Sequence, residues 1–193
     1  MGEIYMLVAG LIVVVFLIIG IILVIGIAGV MMYNRFVALA ERVENARAQI
    51  AAQIESRWDA IKNLISATKE YAKHESEVLE NITAQRSSLG QNSSIKDIEE
   101  NDAQLNNVVG RLIAISESYP DLKASEVYKT TMESVNKFED NVRHSRMIYN
   151  DMVTKFNRLL KQVPTNIIGK IFKFEEKEYF EQTEAKAEMP SWN

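Results

Sequence analysis

The run MLVAGLIVVVFLIIGIILVIGIAGVMM, residues 6 to 32, contains no charged residue. A helix crosses the hydrocarbon of a bilayer with about 20 apolar residues, so this run is long enough to span with some tilt or an interfacial end. A soluble core helix rarely needs so long an apolar stretch. The preceding residues, MGEIY, lack the basic start of a secretory signal and no A-x-A pattern closes the run, so it reads as an uncleaved anchor. Arg35, Arg42 and Arg47 follow it and no Lys or Arg precedes it. The positive-inside rule then puts residues 1–5 outside the cell and everything after residue 32 in the cytoplasm. Gly10, Gly20, Gly26 and Gly29 form no GxxxG pair and read as ordinary glycines of a membrane helix.

Beyond the anchor the apolar positions keep a helical rhythm. Leu39, Val43, Ala46, Ile50, Ile54, Trp58, Ile61, Ile65, Thr68, Ala72, Leu79 and Ile82 step by threes and fours, with Glu75 the one charged interruption. No Gly or Pro intervenes before Gly90, so the anchor and a helix over residues 33–88 are expected to form one rod, its soluble part roughly 80 Å long. SSLGQNSS, residues 87–94, predicts a turn, and a second helix follows from Ile95 to Ser118. Pro120 breaks it. A third runs to Pro164 on Tyr128, Thr131, Val135, Phe138, Val142, Ser145, Tyr149, Met152, Phe156 and Leu159. Residues 166–182 form a short fourth helix or an interfacial segment, and residues 182–193 an acidic tail. The expected fold class is all-α: a single N-terminal transmembrane helix continuing into an antiparallel bundle of three long helices plus a short C-terminal helix. Unequal helix lengths would leave an apolar edge to be covered by a second copy or a protein partner.

The composition narrows the chemistry. A formal charge of -4 gives no reason to expect nucleic acid. The chain has no cysteine, hence no disulfide, thiolate ligand or lipidated cysteine, and its two histidines are His74 and His144. His74 and Glu75 are neighbours about 100° apart around a helix, and two spacers further on stands Val78, so this is no H-E-x-x-H zinc site. Asp59 facing His144 would be a weak metal pair. No G-x-S-x-G elbow, phosphate loop or dinucleotide pattern is present. No catalytic residue, metal or cofactor is expected. Arg57 and Asp59 flank Trp58, and Arg111, Arg143 and Arg146 lie on the other helices, where guanidinium–carboxylate pairs would fix helix register. Tyr149 and Asn150, like Tyr33 and Asn34, suit a packed ring beside a polar group bonded to backbone or side chain. Tyr119, Pro120, Asp121 and Leu122 read as a structural turn or a recognition loop.

Four ordered blocks carry a family resemblance: YNRFVALAERVENARAQIAAQIESRWDAIKNLISATKEYAKHESEVLE from residue 33, GRLIAISESYPDLKAS from residue 110, EDNVRHSRMIYNDMVTKFN from residue 139, and VPTNIIGKIFKFEEKEYFE from residue 163. Together they resemble the LemA family domain over residues 33 to 181. Lys62 stands where the family commonly has Pro, Val163 at a frequently aromatic position, and Gly169 at a frequent Ala. The resemblance implies an anchored cytoplasmic helical domain in a bacterial inner or cell membrane, without established enzymatic activity, some relatives taking part in building internal membrane compartments. Two readings of function follow. In one, the domain self-assembles on the lipid bilayer as a homo-oligomeric scaffold. In the other, a tethered adaptor recruits a protein of the membrane system through the YPDLK loop or distal helix ends.

Overall fold

A computed structural model describes residues 1–84, 89–90 and 93–180, with backbone alone at residues 3–5. The acidic tail and residues 87, 88, 91 and 92 of the predicted turn lie outside the described residues. Among the described residues there are six helices and no strand: α1 (Gly2–Thr68), α2 (Lys73–Ala84), α3 (Ile95–Ser118), α4 (Pro120–Ala124), α5 (Glu126–Lys161) and α6 (Thr165–Ile171). The apolar run lies entirely within α1, and its large side chains from Met6 to Ile27 are exposed on every side, as expected of a surface made for lipid.

The chain divides into two compact units. One comprises Met1–Arg42 with Thr154–Lys177, the other Val43–Val153 with the described residues from Glu178.

In the second unit the expected rod is interrupted. α1 stops at Thr68, whose buried hydroxyl donates back to Leu64 O at 2.8 Å, and the amides of Tyr71 and Ala72 both turn to Thr68 O. The buried Ser76 hydroxyl then donates to Ile65 O at 3.2 Å, eleven residues back, and Leu89 N donates to Glu55 Oε1 at 2.8 Å. α2 therefore runs back along α1. A straight continuation would have kept Glu75 in the buried stripe; the reversal leaves it half-exposed while Ala72, Ser76 and Leu79 stay inside. No Gly or Pro announces this break, which is why periodicity alone extended the helix to residue 88.

Because α2 returns, α3 runs in the same sense as α1. Its start is fixed by a capping box, Ser94 Oγ accepting from Asp97 N and Asp97 Oδ2 accepting from Ser94 N. α3 ends at Ser118, and Pro120 sits in the first turn of α4, where its missing N–H costs nothing. α5 then descends antiparallel, with Tyr128 Oη donating to Leu112 O near its start. Every residue of the predicted α5 stripe is buried or half-buried. α2 buries Ser76 and Leu79, with Ser76 bonded to Ile65 O of α1. The large apolar side chains this unit still exposes are spread over the α1–α2 link (Tyr71), α2 (Val78), α3 (Ile113), α5 (Val127, Met147) and the stretch beyond α6 (Tyr179).

The first unit is organised by Phe36, fully buried and stacked on Phe174 at 4.8 Å, with Phe156 edge-on at 5.8 Å. Tyr33 contacts Phe172 at 4.6 Å and Phe174 at 6.0 Å. α6 packs its small side inward. A Cβ on Gly169 would lie 2.8 Å from Leu160 Cδ2 and 3.4 Å from Phe36 Cζ, while Thr165 Oγ1 donates to Leu159 O at 2.6 Å.

Candidate functional site

The interior of the second unit holds a neutral group of four charges from three helices. Arg146 Nη2 donates to Asp102 Oδ2 at 2.6 Å, Arg57 Nη1 lies 3.6 Å from Asp102 Oδ1, and Arg57 also pairs closely with Glu139. Asn106 Oδ1 accepts from Arg57 at 2.9 Å. Next to it, Trp58 Nε1 donates to the buried Asn101 Oδ1 at 2.6 Å. Burial holds the Arg57 guanidinium below its ordinary pKa, with the Glu139 and Asp102 carboxylates opposing that effect. Arg57 Nε and Arg146 Nε are buried without a hydrogen-bond partner. Pairs of this kind add little net stability but penalise every register that separates them. They bind α1, α3 and α5 in one alignment.

Two of the arginines expected to set register are therefore brought together, with acids that the sequence reading did not single out. The others are not. Asp59 is exposed and pairs with Lys62 at 3.1 Å on its own helix. Arg111 Nε donates to Asn107 Oδ1 one turn away, and Arg143 lies 3.5 Å from Asp140. His74 and His144 are both exposed.

The YPDLK stretch is ordered as the α3–α4 junction. Leu122 is buried, Pro120 and Asp121 are exposed, and Tyr119 Oη donates to Glu75 Oε1 at 2.9 Å. Glu75 is held below the ordinary carboxylate range by a hydrogen bond at its own backbone N–H and by the Tyr119 hydroxyl; the same bond raises Tyr119.

Tyr149 and Asn150 hold the chain beyond α6. Tyr149 Oη donates to Glu178 O at 2.9 Å, while Asn150 accepts from Phe180 N at 2.9 Å and donates to Phe180 O at 3.1 Å. Phe180 is buried against Tyr149 and under Arg146, whose Cζ lies 4.7 Å from the ring centre. Burial pushes the Tyr149 phenol up to about 12, with the Glu44 carboxylate adding to it. In the first unit Asn157 makes the same two-way contact with Lys177, accepting at 2.8 Å and donating at 2.9 Å. Asn157 was missed, although a sequence signal exists: Tyr149–Asn150 recurs seven residues later as Phe156–Asn157.

Chemically, these charged groups are paired with one another. Among the described residues no three His, Asp or Glu side chains converge as they would around a metal ion. An open groove lined by Ser56, Asp59, Asn63, Thr130, Thr131, Ser134 and Phe138 has Asp59 as its one titratable side chain. The apolar part of α1 is exposed, and the rest of its unit is rich in basic residues. Residues 33–42 and 154–177 carry eight basic and three acidic side chains, a surplus of five in a chain whose total is -4.

With all the regular structure among the described residues helical, and one of those helices apolar and of bilayer-crossing length, this is a membrane-associated helical protein. The chain belongs to the LemA family, whose model matches residues 46–193. It is similar to the magnetosome proteins MamQ 1 and MamQ 2 of Paramagnetospirillum magneticum, each 25% identical over 181 residues, covering 80% of this chain and 66% of theirs. Protein LemA of Metamycoplasma hominis is 28% identical over 137 residues, covering 70% of this chain and 63% of its own. The chain thus spans about two thirds of the length of the curated relatives it matches.

Proposed function

We propose that the protein is a non-catalytic, self-assembling scaffold that organises the membrane holding its anchor, with residues 1–5 outside the cell and the helical units in the cytoplasm. The observation that carries this reading is how its chemistry is divided. The conspicuous charged and aromatic groups of the second unit are bonded to one another, whereas the exposed chemistry belongs to an apolar helix flanked by basic residues. Eight basic against three acidic side chains in the non-apolar part of the first unit support the orientation more strongly than the three arginines after the run. The similarity to magnetosome proteins supports a role in membrane organisation. The adaptor reading loses Leu122 as a contact residue, because that side chain is buried.

The absence of native cysteine makes the test direct. Single cysteines placed one by one along residues 10–30 report contacts between copies in intact membranes through oxidative cross-linking. Self-assembly predicts cross-links that recur about every 3.6 residues along one face of the helix. No cross-link at any position would remove the scaffold reading.

A further inference from the structure

The side of α6 that the fold leaves uncovered is apolar. Ile167 is 55% and Ile171 63% exposed, and Phe172, which caps the helix, 52%. Positions 167 and 171 fall on one face of α6, opposite Thr165 and Gly169, which are buried against Leu159, Leu160 and Phe36. Ile168, between these two sides, lies 3.8 Å from where a Cβ on Gly29 would be, so α6 flanks the anchor near the end of its apolar run.

Depth follows from length. The apolar run of residues 6–32 is about 40 Å long as a helix, roughly 10 Å more than the hydrocarbon of a bilayer. With that excess at the end where the anchor emerges, its last residues, Gly29 among them, would lie where acyl chains meet headgroups. Tyr33 and Phe172, in contact at 4.6 Å, are residues of the kind that settle at that boundary. Lys170 and Lys173 are exposed beside the apolar face.

We propose that α6 and Phe172 form a second membrane contact: Ile167, Ile171 and Phe172 lie in the acyl–headgroup boundary of the leaflet where the anchor emerges, and Lys170 and Lys173 reach its anionic headgroups. The occupant of this face is lipid, because the face is continuous with the lipid-exposed anchor and its charge is opposite to that of an anionic leaflet. The contact rests on the reading of α1 as a membrane helix and adds to it a monotopic element that holds the cytoplasmic end of the anchor at a fixed depth.

The test uses the full chain in vesicles of phosphatidylcholine and phosphatidylglycerol at about 3:1, with a nitroxide on single cysteines at Ile167→Cys or Ile171→Cys. Ile18→Cys in the anchor and Glu133→Cys on α5 are the references. Collision with oxygen relative to a water-soluble nickel complex should be at least about fivefold higher at 167 and 171 than at 133, approaching the value at 18. Combining either label with Lys170→Gln and Lys173→Gln should lower that ratio by about twofold on the anionic vesicles and leave it unchanged on phosphatidylcholine alone. Water-like ratios at 167 and 171 with a lipid-like ratio at 18 would overturn the second contact and leave the anchor intact. Shielding of both labels from oxygen and nickel, with dipolar broadening between copies, would assign the face to another protein copy and also overturn it. A water-like label at 18 would remove the membrane helix itself, and this contact with it.

Discussion

Replacing Asp102 by alanine tests whether the buried charges hold the helices in register. Its side chain is 8% exposed and carries the contacts to both Arg146 and Arg57. Without it, Arg146 loses this ion pair and Arg57 keeps only Glu139. Breaking a buried pair by removing one partner costs about 3–5 kcal/mol. For a chain of this size each kcal/mol moves the melting point by about 2–4 °C, so Asp102→Ala should lower it by roughly 6–20 °C. The assay is thermal unfolding of the full chain in mild detergent, followed by far-ultraviolet circular dichroism. Asp59→Ala is the matched control, because its pair with Lys62 is exposed and should contribute less than about 0.5 kcal/mol. Removing Asp102 together with Arg146, as Asp102→Ala with Arg146→Met, restores charge balance around Arg57 and Glu139. The double variant should therefore lose at least about 1 kcal/mol less than the sum of the single ones. An Asp102→Ala melting point within about 4 °C of the parent, or indistinguishable from that of Asp59→Ala, would refute the reasoning.

Phe36→Ala empties the centre of the aromatic cluster in the first unit and should cost about 3–5 kcal/mol there, with hydrogen exchange of the α6 amides faster by at least about a hundredfold. Unchanged exchange in α6 would show that Phe36 does not hold it. Tyr149 gives a pH signature. Its folded pKa of about 12 lies above the ordinary 10.0, so the unfolded chain releases this proton first as pH rises. The stability this group confers is fully present below pH 10 and is lost as pH rises through about 12, and Tyr149→Phe should flatten the fall in melting point across that window. An equally steep fall in the Phe variant would assign the loss to other groups.

The long stripes were legible because burial repeats every three or four residues and most buried positions are ordinary apolar ones, with Arg57, Ser145 and Asn157 the exceptions. This holds for Ile50 through Ile65 on α1 and for Tyr128 through Leu159 on α5. The reversal at residues 69–72 was not, because it is decided by the bond from Ser76 to Ile65 O across eleven residues and not by a local breaker. That reversal in turn hid the partners of Arg57 and Arg146. Only when α3 runs in the sense of α1 does Asp102 stand between them. Asn101 and Asp102 did leave a trace, as polar residues on the helical spacing of Ile98, Leu105, Val108 and Leu112. The pairing of Tyr149 and Asn150 with residues 178–180 could not be read locally, since it joins α5 to chain some thirty residues further on.

The most direct test of the scaffold reading is the mass of the particle extracted from its membrane with native lipid around it, measured by mass photometry beside electron-microscopic projections. A discrete particle containing many copies of the 22.0 kDa chain is predicted. A uniform single-copy particle, in lipid discs as well as in several mild detergents, would contradict it.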